Sequence, residues 1–240
     1  MQGGQATTRT DVGQSKVSSV AEERLLLVIG NKNYSSWSLR PWILLRHLGL
    51  PFDERQLRLD TPGFAAEVRS LSPTGRVPAL HHGALQIWDS LAIAEYACEL
   101  AGRGWPAAPA ERAIARAVCA EMHSGFQALR AQWPMNVRAT GRRTPLTPEL
   151  QRDLERVDAL WADCRARFGG TGRWLFGDYS VADAMYAPVA LRFNTYGAAP
   201  LLSPVSREYL ATVLGDAALG EWRAAAAAEP WIIDSDEVGG

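Results

Sequence analysis

Strand-like and helix-like segments alternate only as far as residue 101; beyond the Gly/Pro/Ala-rich stretch AGRGWPAAPA (101–110), every apolar repeat has helical spacing. This break constrains the fold more than any other feature, because it divides the chain into a layered half and a helical half. In the first half, Leu25-Leu26-Leu27-Val28-Ile29 is a leucine-rich, β-branched run ending at Gly30-Asn31, which predicts a buried strand over 24–30. SLRPWILLRHL (38–48) predicts a helix closed by Gly49, with Pro51 barring its continuation. Phe52 to Leu59 alternates as a second strand, and 62–71 fits a short helix. VPALHH (77–82) and ALQIWD (84–89) flank Gly83 as two strands joined by a tight turn. Ser90 to Leu100 is a helical run closed by Gly102. The order is βαβαββα, a small α/β layer structure.

In the second half Ile114, Val118, Met122, Phe126, Leu129 and Trp133 form one apolar stripe, and Leu150 to Phe168 form another; Pro145 and Pro148 separate them. Ala182–Phe193, Arg207–Leu214 and the alanine-rich Glu221–Ala228 supply further helices. The expected organisation is a polar tail at 1–22, an α/β domain at 23–101, a linker at 102–110, an all-helical domain at 111–232 and a short tail at 233–240.

With 25 Lys+Arg against 26 Asp+Glu and no basic stripe, nucleic acid is excluded as a partner. No apolar run approaches the length of a membrane span, and residues 1–22 lack the apolar middle of a signal peptide. Cys98, Cys119 and Cys164 are isolated, which suits buried thiols in a reducing cytoplasm and offers no disulfide or metal pattern. His81 and His82 are adjacent strand residues that point to opposite faces, so they read as a turn region, not a metal site.

Three motifs carry possible chemistry. In RVPAL (76–80), Pro78 has no N–H to give a sheet, so it is either an edge-strand proline or part of a cis Val77-Pro78 turn that leaves Val77's backbone groups open to a bound peptide. In WDSLAIAEY (88–96), Asp89-Ser90 stands where a strand yields to a helix. Ser90 is either a plain N-cap or a contact for an anion at the free N–H groups, and Asp89 is a partner for an ammonium. In NYSSWSLRPW (33–42), Pro41 is expected in the first helical turn, which makes Ser38 the N-cap and leaves Ser35 and Ser36 before the helix.

Taken in order, the serine turn, the VP strand, the D-S helix start and the S-x-x-D capping box Ser180–Asp183 resemble the cytosolic glutathione transferases, and among them the serine-using classes. The doubled serine is most similar to the zeta class. The resemblance spans about residues 24 to 228 and implies a thioredoxin-like first domain, an all-α helical bundle as the second, and a homodimer. It implies glutathione as co-substrate with no permanently bound cofactor or metal, and a small electrophilic partner with neither nucleic acid nor membrane. Val77 and Pro78 would face the cysteinyl part of glutathione, and Asp89 and Ser90 its γ-glutamyl end. Arg76 is either a contact for the glycyl carboxylate or a solvated charge. Ser35 or Ser36 would donate to the sulfur, Ser35 by the zeta-like match and Ser36 by a delta-like one, with Tyr34 as an outsider. Trp37, Met122, His123 and Phe126 are candidates for the second-substrate pocket. The implied activity is transfer of glutathione to an electrophile. A glutathione-dependent isomerase of the maleylacetoacetate type and a non-catalytic binding module are the alternatives.

Overall fold

The computed structural model describes residues 24–240, so the expected tail at 1–22 lies outside the described residues. Four strands, β1 (Leu25–Ile29), β2 (Phe52–Gln56), β3 (Ala79–His82) and β4 (Leu85–Trp88), form one mixed sheet in the order β2-β1-β3-β4. β1 runs parallel to β2 and antiparallel to β3, and β3 is antiparallel to β4. Position in the sheet follows composition. LLLVI is apolar on both faces and occupies a central place, whereas FDERQ carries its charges to an exposed edge. The second strand therefore stops at Gln56, short of the expected Leu59.

The period of two along β1 splits its side chains between two cores. Leu25, Leu27 and Ile29 face the main core, and Val28 faces a small one with Leu57, Val68 and Ala79. The small core lies under α2 (Phe64–Arg69). The main core is covered by α1 (Ser36–Leu48) and α3 (Ser90–Ala101) and continues without a break into the helical domain. The two halves read as separate in the sequence therefore share one core.

The helical domain comprises α4 (Pro109–Ser124), α5 (Gln127–Gln132), α6 (Pro148–Phe168), α7 (Val181–Thr195), α8 (Pro204–Leu214) and α9 (Ala217–Ala228). The stripe read through Trp133 is broken where Phe126 takes a left-handed conformation, φ 58°, between α4 and α5. Helix α7 runs through the middle and is buried at almost every position. Its start is held by Asp183, whose Oδ2 accepts from Ser180 N at 2.9 Å and Ser180 Oγ at 3.0 Å, while Oδ1 accepts from Leu175 N and the Tyr209 hydroxyl. After α9 the chain does not trail away as the expected tail at 233–240. Ile233 is buried, Asp234–Asp236 form a 3-10 turn, and Glu237 is bonded into the loop before α1.

Candidate active site

The serine turn begins at Asn31, whose carbonyl accepts from Tyr34 N at 3.2 Å and Ser35 N at 2.8 Å. Helix α1 starts at Ser36, earlier than Pro41 predicts, and Ser35 occupies the N-cap position without a capping side-chain bond. Pro41 is thus the sixth helical residue. Its absent N–H costs one helical bond to the Trp37 carbonyl, which the packed surroundings of α1 tolerate. Ser38 is not the cap. Its Oγ lies inside the first turn, accepting from Gly30 N at 3.1 Å and from Ser35 Oγ at 2.7 Å, and so ties the end of β1 to α1. Ser36 Oγ accepts from Arg192 Nη2 at 3.4 Å and keeps its own hydrogen uncommitted. Tyr34 turns away: its hydroxyl donates to Glu237 at 2.6 Å and accepts from Arg138 at 3.1 Å. Burial and the Glu237 contact raise its pKa above the ordinary phenol value.

Beside this turn a cleft of about 640 Å³ opens between the domains. Arg76, Val77, Pro78, Asp89, Ser90, Trp37 and His123 line it, together with Thr74 and Trp88. The Val77-Pro78 bond is cis and lies immediately before β3. Asp89, not Ser90, caps α3: its Oδ1 accepts from Leu91 N at 2.8 Å, and its backbone sits at φ 74°. A non-glycine residue at such a φ is strained, and strain of this kind gathers at ligand sites. Asp89 Oδ2 is 3.1 Å from Nε2 of His123, so a carboxylate of the first domain meets an imidazole of the second across the cleft. With the cap supplied by its neighbour, Ser90 is left 1% exposed with an unpartnered Oγ.

Trp37 connects the cleft to an unusual charge cluster. The guanidinium carbons of Arg40 and Arg130 lie 4.2 and 4.8 Å from its ring centroid, and the His123 ring meets it edge-on at 5.2 Å. Arg40 is 2% exposed, and its Nε and Nη1 have no partner among the described residues. Burial, then the nearby charges of Arg130 and Arg192, push its pKa down to about 9; burial followed by Arg130 brings Arg192 to about 10. Both remain cationic at neutral pH. None of the three forms an ion pair with a carboxylate among the described residues. Together with the N-terminus of α1, they make this region an environment that favours an anion.

Five residues expected at the glutathione site (Arg76, Val77, Pro78, Asp89 and Ser90) therefore lie on one wall, and Trp37 and His123 join them. Met122 and Phe126 do not line the cleft. The inward face of α4 and the turn after it carry them into the core, Met122 beside Cys119 and Phe126 against Tyr186. Ser35 and Ser36 are buried at the start of α1, next in sequence to the cleft-lining Trp37, and do not themselves line the cleft. The three cysteines are buried, and desolvation holds Cys98 and Cys164 up near about 12 and Cys119 well above its ordinary value, so none is a ready thiolate. His81 bonds the Leu71 carbonyl and His82 the Tyr96 hydroxyl. Nothing in the sequence marks Thr74, Trp88 or the clustering of the three arginines as a site; Arg130 alone among them stands with Met122 and Phe126 as a residue that could face the second substrate. Arg40, Arg130 and Arg192 are scattered through the sequence and meet only in the fold.

Residues 34–100 match the family model described as glutathione S-transferase, N-terminal domain. Solved structures agree over most of the chain. A glutathione transferase homolog from Burkholderia gl BGR1 with bound glutathione is 24% identical, covering 86% of this chain and 100% of that one, with a TM-score of 0.63. The fold is the glutathione-transferase fold. A family member from Pseudomonas fluorescens Pf-5 with two glutathione bound is 22% identical, with 84% and 92% of the chains covered and a TM-score of 0.61. Ure2p in complex with glutathione is 20% identical, covering 89% of this chain and 100% of that one, with a TM-score of 0.63. Comparison with curated proteins returns no match. Among the described residues, no helix of this glutathione-transferase fold is long and apolar enough to cross a membrane.

Proposed function

We propose that the protein is a glutathione transferase whose cleft holds glutathione along Val77, Asp89 and Ser90. One observation carries the reading: the buried Ser90 hydroxyl at the start of α3, without a partner among the described residues and lining the cleft, is what a γ-glutamyl carboxylate requires. Arg76, exposed and lining the cleft beside Val77, is the contact for the glycyl carboxylate. The thiol then lies toward the start of α1. Its S–H proton leaves to solvent, and the thiolate is stabilised by the helix N-terminus, a hydroxyl of the Ser35–Ser36 pair and the guanidinium field behind Trp37. The sulfur lone pair forms the new bond to an electrophilic carbon, and the leaving group departs with its bonding pair. The resemblance further implies a homodimer in the cytoplasm.

The arginine cluster favours one second reading, a glutathione-dependent isomerase of a dicarboxylate of the maleylacetoacetate type. Unpaired guanidiniums beside the cleft suit an acidic substrate better than a purely apolar one.

The test is retention on immobilised glutathione, followed by turnover of a chlorinated nitroaromatic and of a cis-configured unsaturated diacid by wild type, Ser35→Ala and Ser36→Ala. Conjugation with a fall of roughly 100-fold in kcat in one serine variant is the expected result, since loss of a donor to a developing anion costs about that much. Equal activity in all three proteins overturns the serine assignment. Retention without turnover of either substrate favours the binding module, and isomerisation without conjugation the second reading.

A further inference from the structure

Glu229, the residue that follows α9, is nearly 200 residues from the serine turn in sequence and in direct contact with it. Its Oε1 accepts from Lys32 N at 2.6 Å and its Oε2 from Asn33 N at 3.1 Å. Gln56 Nε2 donates to Oε1 as well. Lys32 and Asn33 are the middle residues of the turn that the Asn31 carbonyl closes onto Ser35, so the carboxylate grips the peptide groups whose orientation sets where Ser35 and Ser36 stand. Glu229 is 8% exposed and has no cationic partner within salt-bridge distance among the described residues; the Lys32 ammonium goes instead to Glu54 at 2.6 Å. Burying a carboxylate away from any counter-charge is destabilising. An apolar residue would fill the space without that cost, but it could not accept from two backbone N–H groups at once.

The rest of the segment reinforces the grip. Arg138 donates to the Glu229 and Trp231 carbonyls and to the Tyr34 hydroxyl, and Trp222 Nε1 donates to the Lys32 carbonyl at 2.8 Å. Asn33 is held through its side chain by Asn136 and Arg138 N. The turn belongs to the first domain by sequence, yet the contacts that fix its middle come largely from the second.

We infer that Glu229 is a positioning residue for the serine turn: a bidentate carboxylate clasp, supplied by the end of the chain, that sets the hydroxyls against the glutathione sulfur. The inference rests on the glutathione reading above. The decisive experiment compares wild type, Glu229→Gln and Arg138→Lys for glutathione affinity, kcat with a neutral electrophile, and the pH at which bound glutathione forms its thiolate, read by ultraviolet absorbance. A glutamine amide leaves one of the two N–H groups without its acceptor. The expected result is glutathione affinity kept within about twofold, kcat lowered roughly 10- to 100-fold, and thiolate formation moved to higher pH. Arg138→Lys keeps the charge but loses the fork, and it should move the same quantities in the same direction by less; it carries the test if Glu229→Gln fails to fold.

A purely electrostatic role gives the opposite sign, because removing a negative charge near the sulfur would favour the thiolate; a shift to lower pH overturns the inference. A drop in melting temperature with kcat and thiolate pH unchanged overturns it too. Absence of glutathione binding in wild type sinks the glutathione reading and this inference with it. Binding and turnover that are indifferent to both substitutions sink this inference alone.

Discussion

Ser90 has a hydroxyl with no partner among the described residues. Asp89 has taken the capping role, and the buried oxygen faces the cleft unpaired. A hydrogen bond to a charged ligand group is worth about 1.5–3 kcal/mol, so Ser90→Ala should raise KM for glutathione roughly 10- to 100-fold with kcat nearly unchanged. The same variant should melt no lower than wild type, because no internal bond is lost; steady-state kinetics and a thermal melt check the two halves. At this scale the sequence was a good guide where a rule is local. The break at Val77-Pro78 and the helix start at Asp89-Ser90 were legible because proline and helix-start chemistry are written in adjacent residues, although the cap is Asp89 and not Ser90. It was a poor guide to Ser38, whose work is a bond across to Gly30, and to Arg40, whose unusual character depends on Arg130 and Arg192 arriving beside it. Met122 shows the same limit from the other side. The repeat placed it on an apolar stripe, but which part of the stripe meets the cleft is decided by packing.

Among the elements, α7 is buried at almost every position and packs on α1, α4 and α8, and its start depends on a single side chain. Asp183 is 1% exposed and satisfies two backbone N–H groups and two hydroxyls through its two oxygens. Asp183→Ala would strand several buried donors at about 1–3 kcal/mol each, so a loss of at least about 3 kcal/mol in unfolding free energy is expected. Denaturant titration with the glutathione site assayed separately in the folded fraction checks it; a loss below about 1 kcal/mol would show that water replaces the carboxylate. The capping box was legible because its two residues stand three apart. The start of α1 was not. Proline favours the first turn only when nothing else holds a helix together, and α1 is held along its buried side by α3 and α7. Helix ends are set by such neighbours as much as by the residues at the end.

Across the whole molecule, the last dozen residues and the first strand-to-helix turn form one unit. Burial alone would raise the Glu237 pKa, but the Tyr34 and Asn136 hydrogen bonds, with the Arg142 and Arg138 charges, outweigh it and hold the carboxyl below its ordinary value of 4.5. A carboxyl lowered on folding contributes stability that is complete above the unfolded value and is lost as pH falls through the folded one. The hold of Glu237 on Tyr34 and Asn136 should therefore loosen in acid below about pH 4.5, with faster hydrogen exchange over residues 233–237. Glu237→Gln should abolish that pH dependence; exchange that is flat with pH in wild type would count against it. The split at 101–110 was the plainest message of the sequence, and it located two kinds of architecture correctly. It gave no hint that one core runs through both, or that residues 229–237 return to the turn at 31–35, because such contacts leave no periodicity behind.

That return contact sets the rules for recombining this protein with its relatives. A chimera joined at the linker, taking its first hundred residues from here and its helices from elsewhere, would inherit a serine turn whose backbone donors face whatever the donor's final residues happen to offer. The transplantable module is discontinuous: the α/β half travels with Asn136, Arg138 and the stretch from Trp222 to Glu237, or it arrives with its serine turn unsupported.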